Sequence, residues 1–352
     1  MTALRDSLIR QIAAQGPITV AEYMTTCLLH PQHGYYTTRD PFGTQGDFTT
    51  APEISQMFGE ILGLCIAQVW MDQGRPAPFT LAELGPGRGT LMADLLRATR
   101  AVPRFNDAAR LHLVEASPVL RRMQARNLPD AQFHDSADTL PDAPLFIIAN
   151  EFFDALPIRQ FLRAGNGWRE RMVGLRDGKL AFGLGPVTAL AALEHRLADM
   201  AEGQMVETCA PAAHVLAAMA TQIDKHGGCA LIIDYGDWRS RGDTFQALYQ
   251  HAHDDPLAHP GQADLTAHVD FEALAQAAAP LHATDLTPQG VFLERLGITQ
   301  RAQTLARSLD GAALQAHIAA HRRLTHPQEM GHLFKVLGLH PQTTPVPPGF
   351  GS

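Results

Sequence analysis

The sequence predicts an α/β fold, namely a doubly wound, mostly parallel sheet with helices on both faces. From residue 79 onward, short apolar strands alternate with helical segments, as they do in the βαβ units of parallel sheets. The segments Leu145–Ala149 (LFIIA) and Ala230–Asp234 (ALIID) are almost wholly apolar, which is typical of strands covered on both faces. The 352 residues are enough for one such core and a satellite region.

Composition excludes several classes of protein. Hydrophobic residues make up 45% of the chain and charged residues 18%, which favours a globular fold over disorder. The net charge of −8 disfavours a nucleic-acid partner, because phosphates require a basic surface. The four cysteines form no CxxC pair, so neither a disulfide framework nor a metal site is predicted. We expect a cytoplasmic chain, because no apolar run reaches the ~18 residues of a membrane span and no signal or transit peptide is recognisable.

The pattern divides the chain into five regions. A helical region, with residues 1–30 helical and a lid loop at 31–53, precedes the sheet, and glycine turns after the first half of the sheet predict inserted hairpins. Within later regions, residues 187–226 are predicted helical and residues 236–270 a polar loop. The predicted regions are 1–78 (helical with the lid loop), 79–155 (first half of the sheet), 156–228 (hairpin and helical substrate region), 229–340 (second half of the sheet) and 341–352 (irregular tail).

A glycine-rich turn is the strongest local signal. The run Glu83-Leu-Gly85-Pro86-Gly87-Arg-Gly89 follows a predicted strand and opens a predicted helix. Glycines there permit a tight turn and a close approach of a ligand to the backbone. No Gly-Lys-Ser/Thr follows, and the spacing is GxGxG rather than GxGxxG, which disfavours a P-loop and counts against a dinucleotide. A carboxylate at Glu83 repels pyrophosphate but suits an ammonium group, so the predicted cofactor is S-adenosylmethionine.

The ends of the following strands supply the rest of this predicted site. Glu115, in LVEAS, ends the second strand and is predicted to accept hydrogen bonds from the ribose hydroxyls. Asp135 follows the third strand and is predicted to accept from the adenine amino group, although a helix-capping role is an equal alternative. The predicted cofactor residues are Glu83, Gly85, Pro86, Gly87, Gly89, Glu115, Ala116, Asp135, Ser136 and Asn150.

Candidate catalytic carboxylates follow the fourth strand. Because ligands of open α/β sheets bind outside the carboxyl ends of the strands, we expect Glu151 near the transferred group and Asp154 in the same pocket. The structural alternative is that Glu151 caps a helix and Asp154 is solvated. A candidate lid precedes the sheet, in which Thr50 and Glu53 also match a capping box. The lid and substrate candidates are Asp47, Phe48, Thr50 and Glu53.

Several separate segments resemble one family, the MidA-like proteins, which include the mitochondrial complex I assembly-factor methyltransferase. The resemblance implies a class I methyltransferase (Rossmann-like) sheet with an adjoining region that shapes the substrate site. The segments are HGYY (33–36), GDFTTAPEISQMFGE (46–60), ELGPGRGTLMADLL (83–96), NEFFDALPI (150–158), IIDYG (232–236), GQADLTAHVDF (261–271) and TPQGVFLERLGI (287–298).

The resemblance also implies an activity. It suggests symmetric dimethylation of an arginine in a respiratory complex I subunit, with support of complex I assembly. Carboxylates such as Glu151 and Asp154 can hold a guanidinium bidentately and offset its charge. Two alternatives stay open at this point, namely an NAD-dependent oxidoreductase on the same sheet and a non-catalytic assembly factor with a structural cofactor pocket.

Overall fold

The computed structural model describes residues 3–38 and 49–351. The chain divides into two compact units whose segments interleave along the sequence. The hairpin unit takes the described residues of Met1–Phe48 together with Asp154–Ala212 and Arg239–Asp270. The sheet unit takes Thr49–Phe153, Ala213–Trp238 and the described residues of Phe271–Ser352. The predicted regions 1–78 and 229–340 each contribute to both units.

The elements of the described residues are as follows. The helices are α1 (Ala3–Gln15), α2 (Val20–Leu29), α3 (Tyr35–Thr38), α4 (Ala51–Ile54), α5 (Gln56–Asp72), α6 (Thr90–Thr99), α7 (Phe105–Ala108), α8 (Pro118–Asn127), α9 (Ala210–His226), α10 (Phe271–Ala277), α11 (Gln289–Arg295), α12 (Ile298–Ala306), α13 (Gly311–Thr325) and α14 (Met330–Leu333). The strands are β1 (Ile18–Thr19), β2 (Phe79–Leu84), β3 (Ala109–Val114), β4 (Gln132–His134), β5 (Leu145–Asn150), β6 (Arg159–Ala164), β7 (Gly167–Arg176), β8 (Lys179–Thr188), β9 (Met205–Thr208), β10 (Gly228–Asp237), β11 (Gln246–Tyr249), β12 (Ala252–Asp254), β13 (Asp264–Thr266), β14 (Val269–Asp270), β15 (His282–Ala283), β16 (Thr287–Pro288) and β17 (Phe334–His340). Short 3₁₀ turns span Ala137–Thr139 and Ala191–Leu197.

The sheet unit is built on one mixed, mostly parallel sheet. Its order is β15-β17-β10-β5-β2-β3-β4, in which β10, β5, β2, β3 and β4 run parallel. The last strand, β17, is antiparallel to β10, and β15 and β16 pair antiparallel with β17. Every residue of β2 and β5 is buried, as expected for strands with both faces covered. The predicted α/β class is therefore confirmed.

The order of the strands determines where a ligand can bind. After β2 the chain moves to β3 and β4 on one side, and then returns to β5 on the other side of β2. Such a reversal leaves a crevice outside the carboxyl ends of the two strands that flank it. The glycine turn follows β2, and Asn150 is the last residue of β5. The two segments with the clearest sequence signals thus lie at the same edge of the sheet.

Two glycines of α5 allow this helix to lie close against α6. A Cβ on Gly59 would come within 2.8 Å of the Leu91 carbonyl oxygen and of Asp94 Cβ. A Cβ on Gly63 would lie 2.9 Å from Leu95 Cγ. Only glycine fits at these two points without moving α6, whose N-terminus carries the glycine turn.

The substitution Gly59→Ala is expected to destabilise the protein. Overpacking costs about 1–3 kcal/mol, and the upper part of this range applies because the added Cβ would lie 2.8 Å from a backbone oxygen and from Asp94 Cβ. This cost outweighs the gain of about 1 kcal/mol in helix propensity from alanine. Thermal and urea unfolding measure the effect. Gly183→Ala is the matched control, because a Cβ on that residue meets nothing within 4 Å. An equally stable Gly59→Ala variant would contradict the close packing of α5 on α6.

The hairpin unit contains an antiparallel sheet of order β1-β7-β6-β9, with β8 paired to β7. The predicted hairpins are therefore confirmed. Helices α1 and α2 pack their apolar residues on this unit's core, with Leu8, Tyr23 and Met24 fully buried. None of the described helices combines the length and the apolar character needed to cross a membrane.

The helical character predicted for residues 1–30 is confirmed in their described part, where Gly16 (φ +92°) follows α1 and Thr19 caps α2 in a capping box with Glu22. Two other local predictions were wrong, because strand pairing decides the structure of these segments. The Ala-rich stretch 187–226 is helical only in part, since β9 pairs with β6. The predicted loop 236–270 contains a small sheet of order β12-β11-β13.

Candidate active site

The glycine turn is a left-handed bend between β2 and α6. Gly85, Gly87 and Gly89 have φ values of +59°, +54° and +80°, a region that other residues enter at a cost. Pro86 lies within the bend, and its carbonyl accepts a 2.7 Å hydrogen bond from the Gly89 N–H. A Cβ on Gly85 would lie 3.0 Å from the ring of Phe152. The turn therefore needs glycine for its backbone conformation, and at Gly85 also for packing.

Glu83 places a buried carboxyl group in β2, two residues before Gly85. Its side chain is buried, and within the described residues its Oε2 atom has no hydrogen-bond partner. The pKa of Glu83 is raised to about 8, mainly by burial and also by the nearby Glu115, while a hydrogen bond from the Met92 N–H acts in the opposite direction. A buried acceptor that lacks a donor is costly. Glu83 is therefore suited to a ligand that supplies a cationic donor.

Glu115 directly follows β3 and is buried beside the turn. Its Oε1 accepts from the Ser117 N–H at 2.7 Å, and its Oε2 accepts from Gln124 Nε2 at 3.1 Å. Burial raises the pKa of Glu115, and the hydrogen bonds from Ser117 and Gln124 lower it. Because a carboxylate offers about four acceptor sites, the two ribose hydroxyls can still be accommodated. The neighbouring Ala116 is exposed.

The residues after β4 are more exposed than the others. The Asp135 side chain is 91% exposed and pairs with Arg121 at 2.5 Å. Ser136 caps the following 3₁₀ turn, since its Oγ accepts from the Asp138 N–H at 3.3 Å. The capping role considered for Asp135 thus belongs to Ser136. A contact between Asp135 and adenine stays a prediction.

The loop after β5 contains a strained glutamate. Glu151 has φ +51°, an uncommon value for a residue with a side chain and one that clusters at functional sites. Its Oε1 accepts from the Ala51 N–H at 3.0 Å and from Asn150 Nδ2 at 3.1 Å. Asn150 Oδ1 is buried and has no hydrogen-bond partner in the described parts of the chain. The alternative that Glu151 caps a helix holds in part, because Ala51 is the first residue of α4.

The lid segment contacts the glycine turn through Glu53. Its Oε1 accepts from Thr90 Oγ1 at 2.5 Å, and its Oε2 lies 3.7 Å from Arg88 Nη1. Thr50 is the N-cap of α4 by backbone position, but its side chain makes no capping bond. The predicted capping box is therefore wrong, because Glu53 binds across to α6 instead. Asp47 and Phe48 lie outside the described residues.

Asp154 belongs to the hairpin unit, where it is buried. The alternative of a solvated Asp154 is therefore wrong. Tyr36 in the same unit donates a 2.8 Å hydrogen bond to Asp264 Oδ1, and the charges of both Asp264 and Asp154 act on the phenol of Tyr36. Burial raises the pKa of Tyr36 well above its usual value, and Asp264 and Asp154 raise it further.

Comparison with known proteins agrees with this geometry. Residues 61–290 match the family model described as "Putative S-adenosyl-L-methionine-dependent methyltransferase". The "Protein arginine methyltransferase NDUFAF7, mitochondrial" of Xenopus tropicalis is 38% identical, with 99% of this chain and 89% of that protein covered. Its human counterpart is 36% identical over 97% of this chain and 84% of its own length.

One solved structure decides the family. A crystal structure of a protein from Burkholderia thailandensis, bound to S-adenosyl-homocysteine, superposes with a TM-score of 0.80 at 30% identity, covering 99% of this chain and 93% of that chain. The chain belongs to the MidA-like family of S-adenosylmethionine-dependent methyltransferases. The cofactor of this methyltransferase is therefore S-adenosylmethionine. The buried acceptor atoms of Glu83 and Asn150 and the glycine turn fit such a group.

Sequence reasoning missed three side chains that support the site of the methyltransferase. Gln124 bonds both the glycine turn and Glu115. Arg121 donates to the carbonyls of Glu115 and His134 at 2.6 and 2.8 Å, which fastens the ends of β3 and β4 together. Asp234 accepts from the Phe153 N–H at 3.0 Å and so holds the loop after β5. Only Asp234 had a signal, since it lies in the IIDYG segment.

Proposed function

We propose that this methyltransferase is a protein arginine N-methyltransferase that acts on a subunit of respiratory complex I and supports assembly of the complex. The observation that carries the proposal is a carboxylate, Glu151, at the end of β5 beside the glycine turn, in a chain 36–38% identical to proteins named arginine methyltransferases. Symmetric dimethylation and cytoplasmic location are part of the same proposal.

The cofactor site is proposed along the carboxyl edge of the sheet. Glu83 would take the ammonium of S-adenosylmethionine, Glu115 the ribose hydroxyls and Asp135 the adenine amino group. The glycine turn, Ala116, Ser136 and Asn150 would line the same site. Two observations support this proposal. The residues lie at or just after the carboxyl ends of β2, β3, β4 and β5, which belong to one sheet, and buried acceptor atoms of Glu83 and Asn150 are available to a ligand.

Glu151 is proposed to hold the substrate guanidinium. When bound, S-adenosylmethionine supplies an electrophilic methyl group, and the reaction is an in-line displacement that depends on alignment. A guanidinium stays protonated, with a pKa above ~12, so its plane and charge must be fixed by an anion. Glu151 is suited to this, because the N–H of Ala51 and the amide of Asn150 already fix one carboxylate oxygen.

The same carboxylate has a second proposed task. The acceptor nitrogen exchanges one proton for the methyl group, and Glu151 is our candidate to receive that proton. Thr50 and Glu53 are proposed to keep α4 over the site, since Glu53 contacts Thr90 and Ala51 contacts Glu151. Asp154 is proposed as a further carboxylate for the substrate, and its substitution tests this independently of Glu151.

The test is a transfer assay with labelled S-adenosylmethionine and the purified complex I subunits of the same source, followed by mass spectrometry. We expect label on one arginine and a symmetric dimethyl mark. Label on lysine, or on no subunit, would overturn the substrate proposal. Persistence of the same mark in a strain without this gene would do so as well. The family assignment removes the NAD-dependent alternative, and the absence of any transfer by the wild-type protein would favour a non-catalytic role.

A further inference from the structure

Gln124 connects two parts of the proposed cofactor site. It lies on α8, and its side chain is fully buried. Its Nε2 donates to the Gly87 carbonyl at 2.7 Å and to Glu115 Oε2 at 3.1 Å. One amide therefore joins the glycine turn after β2 to the carboxylate at the end of β3.

The orientation of this amide follows from its neighbours. With oxygen and nitrogen exchanged, the Gln124 oxygen would face a carbonyl and a carboxylate, and no donor would be present. Burial makes the loss of a hydrogen bond to a charged acceptor costly, at about 1.5–3 kcal/mol. The observed arrangement is thus the one that satisfies both acceptors.

Helix α8 holds both oxygens of Glu115. Its N-cap residue, Ser117, donates its backbone N–H to Oε1, while Gln124, two turns later on the helix, donates to Oε2. Two donors at fixed positions set the plane of the carboxylate. Burial raises the pKa of Glu115, and these two hydrogen bonds lower it. The hydrogen bonds thereby favour the charged form of the carboxylate, which accepts hydrogen bonds from hydroxyls.

We propose that Gln124 is a positioning residue that orients Glu115 toward the ribose hydroxyls of the cofactor while it anchors the glycine turn. Since Gln124 is fully buried, it acts through Glu115 and Gly87. The inference rests on the proposed role of Glu115 in holding the ribose, and the experiment separates failure of one from failure of the other.

The test compares Gln124→Met with a matched control, Gln289→Met. Methionine has a similar volume but no donor. Gln289 is equally buried and donates to one backbone carbonyl, that of Leu324 at 2.9 Å, on α11 of the same unit. Both variants should lose some stability in urea unfolding. Only Gln124→Met should bind S-adenosylhomocysteine more weakly, by about tenfold, as measured by calorimetry.

A second ligand separates positioning from general damage. The probe is an analogue of S-adenosylhomocysteine that lacks the 2′ and 3′ hydroxyls. This analogue has no ribose hydroxyl that could donate a hydrogen bond to Glu115. We expect the effect of Gln124→Met on this analogue to be less than threefold. An equal loss for both ligands, or no loss for either, would overturn the inference. If Gln124→Met does not fold, Gln124→Asn replaces it in the same comparison, because the shorter amide of asparagine reaches at most one of the two acceptors.

Glu115→Gln identifies which assumption fails. If this variant loses affinity for the full ligand but not for the analogue, the ribose role of Glu115 stands. A negative result for Gln124→Met then counts against Gln124 alone. If Glu115→Gln treats both ligands alike, the ribose role and the inference both fall. The double variant should lose less than about threefold more affinity than Glu115→Gln, because only the contact with the glycine turn acts apart from Glu115.

Discussion

Replacement of Glu83 by glutamine should weaken S-adenosylhomocysteine binding by about 10- to 100-fold and yet stabilise the free protein at pH 8. A hydrogen bond to a charged group contributes about 1.5–3 kcal/mol, and each 1.4 kcal/mol is tenfold in affinity. The gain in stability has a separate cause. Ionisation of the buried carboxylate costs free energy in the folded state, whereas a glutamine does not ionise.

The pH dependence of stability follows from the direction of this shift. Burial and Glu115 raise the pKa of Glu83 from 4.5 to about 8. Between these values the folded state binds a proton that the unfolded state does not. The free energy of unfolding therefore falls as pH rises through this window, at up to about 1.4 kcal/mol per unit. The raised pKa of Glu115 acts in the same direction.

The pH dependence of binding has the opposite sign. The ammonium of the ligand favours ionised Glu83, so affinity should rise toward pH 8 and a proton should be released on binding. Calorimetry in buffers of different ionisation enthalpy counts this proton, and urea unfolding from pH 5 to 8 measures stability. Glu83→Gln should release fewer protons and show a smaller fall in stability. Equal proton release by both proteins would count against Glu83 as the ammonium acceptor.

Glu151→Gln is expected to lower kcat by about 10²-fold or more while leaving the Kd for S-adenosylhomocysteine within a few-fold. The range follows from the usual contribution of a positioned acid or base. Glutamine keeps an oxygen that can accept from the Ala51 N–H, so α4 should stay in place. The charge that holds and deprotonates the guanidinium is lost. Single-turnover transfer to the modified subunit, with cofactor affinity measured in parallel, separates the two effects.

A carboxylate of the hairpin unit provides the control for this substitution. Glu170→Gln removes a partner of Arg159 in the hairpin unit, where the pair is partly exposed, and kcat should not change. Methyl transfer at the wild-type rate by Glu151→Gln would exclude this residue from catalysis. A loss of cofactor affinity equal to the loss of rate would instead place Glu151 among the cofactor residues.

Local sequence patterns were sufficient to predict the elements whose structure depends mainly on neighbouring residues. The strands that became β2, β5 and β10 were predicted because continuous apolar runs must be covered on both faces. The glycine turn was predicted because its neighbours alternate between strand and helix, and all three of its glycines adopt positive φ. The short strands of residues 236–270 were not predicted, because their pairing partners supply most of their stabilisation.

The sequence by itself thus determined the fold class, the glycine turn and the acidic residues at the strand ends. Periodicity, glycine conformation and charge are properties of neighbouring residues. Only the tertiary structure decided which side chains meet. Glu53 binds Thr90 rather than completing a cap, and Gln124 joins Gly87 to Glu115. These pairs lie up to 37 residues apart, and packing of whole helices on the sheet, which no local pattern encodes, brings them within hydrogen-bonding distance.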